Sequence, residues 1–266
     1  MDTLFSSITK YKNERFVPEG MYLVLAEPRL LKESVNVIAD LVTEVTIKVD
    51  KDKIAIVAID PSLVAMVDFK LLSSAFVEYQ VAKPEELAIN LDHLRQVLKR
   101  AKPIDTVTLS LDGERLQVLL KGEHTRAFTI PLITIEENEQ MIPKLSFTTS
   151  VTLPSEKFDE VIEDMGVIAE SLTFQRNALA FVVKSTANLK EAKVEIPLTA
   201  DMGIAMDGED HASKYSIEYL KKISKASKLA DQVTLEFGTD YPLHVEYTLL
   251  DKLRLSFILA PRVSTD

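Results

Sequence analysis

Two stretches, Leu94–Leu120 (LRQVLKRAKPIDTVTLSLDGERLQVLL) and Leu220–Leu249 (LKKISKASKLADQVTLEFGTDYPLHVEYTL), read as two copies of one unit. Each passes from a leucine into a cationic helix, then a D-x-V-T-L strand, a turn and a second strand. The D-x-V-T-L segments begin at Asp105 and Asp231, 126 residues apart (231 − 105), and Pro28 and Pro154, each opening an amphipathic helix, share that offset (154 − 28). A fixed internal period marks a duplication, so the 266 residues divide into two domains of about 120 residues each.

Working outward, the first strand-like run is MYLVLA from Met21, which leaves residues 1–20 as an N-terminal extension. In EPRLLKESVNVIADLV, Leu30, Val37, Ile38, Leu41 and Val42 share one side of a helix at about 100° per residue, with Arg29, Lys32 and Asn36 on the other. Alternating or β-branched runs follow at Glu44–Val49, Lys53–Ile59 and Leu63–Phe69. The spacing predicts a helix over Asp92–Lys102, with Leu94, Val97, Leu98 and Ala101 apolar and Arg95, Lys99 and Lys102 on one stripe. After a strand over Thr125–Leu132, residues 136–146 carry acidic side chains, Pro143 and no periodicity, and read as a linker between domains 21–135 and 147–266. The second half opens a helix at Ser155, running to about Ile168, that buries Phe158, Val161, Ile162 and Met165. Its last helix, Ser216–Leu229, turns Leu220 and Ile223 inward and stacks Lys221, Lys225 and Lys228, with Lys222 beside them. The fold class is α+β: two helices and about eight or nine strands per domain, helices gathered on one face of antiparallel sheet.

Composition excludes several classes of function. There is no cysteine, hence no disulfide, thiolate zinc site or cysteine nucleophile. No apolar run approaches the roughly 18 residues a membrane span needs, and MDTLFSSITKYKNERF is polar where a signal peptide would be apolar. These features lead us to expect an intracellular location and no membrane partner. His93, His124, His211 and His244 have no metal-ligand spacing and read as surface or turn residues, while Asp60 and Asp240 suit turn chemistry. Only 7 glycines occur, with no G-x-S-x-G elbow, phosphate loop or paired-carboxylate motif, so neither an enzyme nor a cofactor is expected. The net charge of −10 opposes a phosphate partner when taken as a sum, but the lysine stripes show that distribution matters more. A solvated helix face is the ordinary meaning of such a stripe; its recurrence on the equivalent helix of both halves argues for a shared target.

The segments IDPSLVAMVDF, INLDHLRQVLKRA, LPSEKFDEVI, DQVTLEFGTDYPLHVEY and LAPRV, in this order over the duplication, resemble the proliferating-cell-nuclear-antigen sliding clamps, most closely the archaeal ones. The resemblance runs from about Met21 to Val263. It implies two duplicated clamp domains and a ring of three subunits whose helices line a hole and whose sheets form the outer wall. Double-stranded DNA would pass through it topologically and without sequence preference, and a separate ATP-driven clamp loader would open it; the implied location is cytoplasmic and nucleoid-associated in an archaeon, or nuclear in a eukaryote. The implied DNA-facing set is Arg29, Lys32, Arg95, Lys99, Arg100, Lys221, Lys222, Lys225 and Lys228. One helix departs from the pattern: Asp159, Glu160 and Glu163 stand where related clamps often show arginine or lysine.

The resemblance also implies a pocket beneath the linker for a short peptide with a glutamine and an apolar plug, carried by DNA polymerase, flap endonuclease and DNA ligase. Its matching positions are Ile59, Leu63, Val64 and Met66, then Met141, Ile142 and Pro143, then Pro242, Ile258, Ala260, Pro261 and Val263. Burial of one apolar anchor there contributes roughly 1.5–3 kcal/mol. Ile59, Val64 and Ile258 equally suit ordinary core positions, and Ile258 replaces a tyrosine common in the family. Subunit contacts are implied at the edge strands Thr125–Leu132, through Thr125, Phe128 and Ile130, and about Ala192–Leu198, through Lys193, Val194 and Ile196. Homotrimer and heterotrimer both stay open, as do a checkpoint-type clamp subunit, a DNA-independent scaffold and, from another class, an unrecognised hydrolase.

Overall fold

In the computed structural model, which describes residues 20–135, 140–177, 179–197 and 210–262, the alternating runs of the first half form strands. This half comprises β1 (Met21–Leu25), α1 (Arg29–Ile38), β2 (Glu44–Val49), β3 (Lys53–Ile59), β4 (Ala65–Leu72), β5 (Glu78–Val81), β6 (Glu85–Asn90), α2 (Leu91–Lys99), β7 (Thr106–Leu111), β8 (Arg115–Lys121) and β9 (Thr125–Pro131). The second comprises β10 (Thr149–Pro154), α3 (Ser155–Met165), β11 (Ser171–Arg176), β12 (Ala180–Ala187), β13 (Lys190–Pro197), β14 (His211–Ser216), α4 (Ile217–Ser224), β15 (Gln232–Phe237), β16 (Leu243–Leu249) and β17 (Leu253–Leu259). Apart from Gly20 the N-terminal extension lies outside the described residues, as do 136–139 of the linker.

The two halves repeat one topology. In each, the first strand pairs antiparallel with the D-x-V-T-L strand: β1 with β7, β10 with β15. The order β6-β2-β3-β4 in the first half recurs as β14-β11-β12-β13 in the second, and β7-β8-β9 recurs as β15-β16-β17. The halves nevertheless share a sheet. β17 pairs with β4 from Leu253↔Leu71 to Leu259↔Ala65, giving one eight-stranded sheet, β10-β15-β16-β17-β4-β3-β2-β6. Nothing local in the sequence announces a pairing between strands so far apart. The same duplication leaves β9, the counterpart of β17, and β13, the counterpart of β4, at the edges of the other two sheets.

All three helices that were expected to run further stop short, for local reasons. α2 starts where Asn90 Oδ1 accepts a bond from Asp92 N at 2.9 Å and ends at Lys99. Beyond it, Lys102 N donates to Asp105 Oδ2 at 2.7 Å and Pro103 has no N–H to continue the helix, so Lys102 leaves the stripe and pairs with Glu123 at 3.2 Å. α3 stops at Met165 before Gly166, and α4 tightens after Ser224 into a 3-10 turn over Lys225–Lys228. The apolar stripes are buried as the periodicity requires, with Val37, Ile38, Leu98, Ile162, Leu220 and Ile223 fully covered. α1 packs against α2 and α3 against α4, while the 3-10 turn touches both α1 and α3, so the helices of the two domains form one continuous layer.

Candidate nucleic-acid and partner interfaces

The helix layer brings together eight of the nine cations of the expected DNA-facing set within α1, α2, α4 and the 3-10 turn, with Arg100 at the C-cap of α2. They fall into two electrostatic groups. Asp40, just past α1, accepts from Arg95 at 2.9 Å and from Lys225 at 2.7 Å, joining α2 to the second domain. Lys221 pairs with Glu163 at 2.9 Å and Lys222 with Glu218 at 3.0 Å. Among the described residues, Arg29, Lys32, Lys99, Arg100 and Lys228 form no ion pair; Lys32 Nζ donates to Ala101 O at 3.2 Å and Arg29 to Lys228 O. The acidic side of α3 is largely occupied at home, since Glu160 pairs with Lys157 at 3.2 Å, Glu163 with Lys221, and Asp159 accepts from Ser224 Oγ. Four positions of the set therefore meet solvent with their charge partly met, and five present it fully.

Of the expected partner-peptide residues, Ile59, Met66 and Ile258 lie on strands of the eight-stranded sheet, and the other described ones in the turn before β4, the linker, the loop before β16 and the C-terminal tail. Ile59, Met66, Ile258 and His244 stand directly opposite one another across β3, β4, β17 and β16, a continuous row. Met66 is buried, Ile59, Ile258, Pro242, Ala260 and Pro261 are half-buried, and Val263 lies outside the described residues. Leu63 projects at 79% exposure from a turn in which its φ is 59°, a left-handed conformation costly for a branched side chain. In the linker, Met141 is 83% exposed, and Ile142 and Pro143 are also exposed. The turn before β4 is tied to the C-terminal tail by Ala260 N donating to Val64 O at 2.9 Å, and the tail continues to Arg262 N on Lys214 O at 2.7 Å.

Sequence reasoning missed what seats this surface. Asp60, 3% exposed, accepts from Ser62 N at 3.0 Å, Val64 N at 2.7 Å, Ala65 N, and Tyr219 Oη at 2.7 Å, the last reaching over from α4. Burial pushes this carboxyl up, but the four donors outweigh it and hold its pKa below the ordinary value. Phe147, at the end of the linker, stacks on His244 with ring centres 5.7 Å apart and meets Tyr241 edge-on at 5.8 Å, while His244 Nδ1 lies 2.7 Å from Glu236. His244 is thus a half-buried strand residue, and His211, on β14, is buried with Nδ1 3.2 Å from Thr239 Oγ1; neither is the surface or turn residue expected. The aromatic residues of YPLH and SFTT were the available signal for the linker seat, whereas nothing links Tyr219 to Asp60 in sequence.

At the free edge of β9, Phe128 is half-buried, Ile130 buried and Thr125 exposed. A cleft of about 330 Å³ opens there, lined by His93, Gln96 and Val97 of α2 and by Phe128–Pro131. On β13, Ala192, Val194 and Ile196 face inward and half-buried, and Lys193 and Glu195 point out and pair with each other.

A family model for the proliferating cell nuclear antigen N-terminal domain matches residues 21–140, and one for its C-terminal domain matches residues 141–262. The chain belongs to the proliferating-cell-nuclear-antigen (PCNA) family. The DNA polymerase sliding clamp of Pyrococcus furiosus is 35% identical over 231 residues, 86% of this chain and 93% of that one. That of Nanoarchaeum equitans is 35% identical over 247 residues, 91% and 99% of the two chains. The crystal structure of PCNA from Thermococcus kodakaraensis superposes with a TM-score of 0.85 at 27% identity, covering 91% of this chain and all of that one. PCNA-family proteins are not enzymes.

Proposed function

We propose that this chain is a DNA sliding clamp, a polymerase processivity factor that encircles duplex DNA and tethers partner enzymes through short peptides. The observation that carries the ring is the pairing of β4 with β17 inside the chain. Because the halves are duplicated, β13 and β9 are the same two edges left unused, and β13 of one copy meeting β9 of the next repeats the internal junction. Such a contact is head-to-tail, so it closes into a ring when the rotation per copy permits, here three copies or three sister subunits with six domains. The cleft beside β9 receives the neighbouring edge, and Phe128, Ile130, Val194 and Ile196 supply its apolar contact.

With the helix layer facing the bore, Arg29, Lys32, Lys99, Arg100 and Lys228 offer unneutralised charge to the phosphates, and Arg95, Lys221, Lys222 and Lys225 weaker charge. Grip then rests on enclosure, and the acidic remainder keeps DNA off the outside. A separate loader opens the ring. Polymerase, flap endonuclease and ligase bind by peptides on the Ile59–Met66–Ile258 row, with Leu63 and the linker as its rim.

Light scattering and retention on DNA test this. A species three times the 29.8 kDa chain mass, alone or with sister subunits, that stays on nicked circular DNA and slides off once the circle is cut supports the clamp. A chain that stays monomeric with every candidate sister subunit, or that leaves circular and linear DNA equally fast, would overturn it.

A further inference from the structure

We infer that Tyr219 is a positioning residue for the partner groove: from the second domain it locks the Asp60 turn of the first, and so sets the rim formed by Leu63 and Val64. This rests on the groove reading above. The turn is held chiefly through Asp60. Leu63 sits at φ 59° with its side chain in solvent, a conformation that persists only when its surroundings impose it. Asp60 imposes it by collecting the N–H groups of Ser62, Val64 and Ala65, while its own N and carbonyl bond Ala65 O at 2.8 Å and Leu63 N at 2.9 Å.

Asp60 in turn is fixed by Tyr219 Oη, the one side-chain donor among those bonds, at 2.7 Å. The tyrosine is itself held in place, since its ring is half-buried and Lys222 Nζ lies 5.2 Å from the ring centre. Burial and the adjacent Asp60 carboxylate both raise the phenol pKa, so it stays protonated and donating throughout the neutral range. The turn then passes its position on, because Val64 O accepts from Ala260 N and thereby fixes where the C-terminal tail leaves the sheet. One hydroxyl from α4 therefore orders the turn on one side of the groove and the tail on the other.

The test compares the full-length chain with Tyr219→Phe, Leu63→Ala and the double variant, using a fluorescein-labelled peptide carrying a glutamine and an apolar plug. Tyr219→Phe should weaken peptide binding roughly three- to tenfold, the span of one ordinary intramolecular hydrogen bond, because the peptide feels its loss only through the rim. Amide exchange at Val64 and Ala65 should quicken while that of β8 stays unchanged. If the tyrosine acts through the rim, its effect shrinks at least twofold once Leu63 is already truncated, whereas a merely structural role leaves the two effects multiplicative. Peptide affinity and Val64 exchange both unchanged in Tyr219→Phe would overturn the proposal with the groove intact. Failure of the unaltered protein to bind the peptide would overturn the groove reading and the positioning role together, and is told apart because it appears before any substitution.

Discussion

Single residues carry the joints of this molecule. Asp60 is the clearest: replacing it with alanine leaves the N–H groups of Ser62, Val64 and Ala65 and the hydroxyl of Tyr219 without their acceptor. With Ala65 buried and Val64 half-buried, we expect Asp60→Ala to cost about 3 kcal/mol, a fall in Tm of roughly 6–12 °C for a protein of this size. Asp60→Asn, which keeps one acceptor oxygen, should lose about half as much; equal losses in the two variants would show that the side-chain volume, not the hydrogen bonding, matters. Asp40 is a joint of another kind, a single carboxylate between Arg95 and Lys225 at the surface. Partly exposed ion pairs contribute little, so Asp40→Asn should lower stability by only about 1 kcal/mol. It releases Lys225, however, while Arg95 stays paired with Asp92, and the salt dependence of duplex binding should steepen by roughly one phosphate contact in an anisotropy titration between 50 and 200 mM NaCl. An unchanged slope would place Lys225 away from the phosphates.

Among the elements, α3 and β13 show best what a sequence exposes and what it hides. The periodicity of α3 was legible because Phe158, Val161, Ile162 and Met165 recur at helical spacing and all are buried. Its acidic face was legible too, but not the counter-charges, because Lys221 lies on a helix 58 residues away. The repeat and the strand run of each half could be read, since each needs only local pattern. The β4–β17 pair could not, because pairing across 188 residues is set by the shape of the finished halves, with no period to betray it. The same holds for the candidate sites: the Ile59–Met66–Ile258 row was named residue by residue, whereas Tyr219, Phe147 and His244 become part of it only through folding. For β13 the expectation is direct. Val194→Asp places a carboxylate on the inward, half-buried side of a free edge strand, where desolvation without a partner is costly. Light scattering should show the assembled species shifting to monomer while far-UV circular dichroism is kept; an unshifted assembly would move the subunit contact elsewhere.

At the scale of the whole molecule, the shared eight-stranded sheet and one core running through both halves argue that the domains unfold together, in a single transition at fixed protein concentration. Its pH dependence follows from groups whose pKa values folding displaces. Asp60 lies below 3.8, as argued above, and so does Asp105, held down by the Lys102 amide and, against the opposing effect of its burial, by the Arg126 guanidinium. A depressed carboxyl favours the folded state above its unfolded pKa, so this contribution is complete above about pH 4 and is lost as the pH falls through the lower folded values. Tyr79, Tyr215 and Tyr247 act at the other end: burial raises all three above 10, with the nearby charges of Asp50 and Asp52, of Asp240 and of Asp159 adding to it respectively. A raised phenol favours the folded state below pH 10 and loses that effect as the pH climbs, because the unfolded chain ionises first. Thermal melts should therefore give a plateau in Tm between about pH 5 and 9, with a fall below pH 4 and another above pH 10. The two flanks separate by substitution: Tyr215→Phe, which keeps the ring in the core and removes the hydroxyl with its bond to Tyr241 O, should lower the plateau slightly and flatten the alkaline fall while leaving the acid fall in place. A Tm that drops steadily from pH 7 to pH 5 would show that groups other than these carboxyls and phenols control stability in that range.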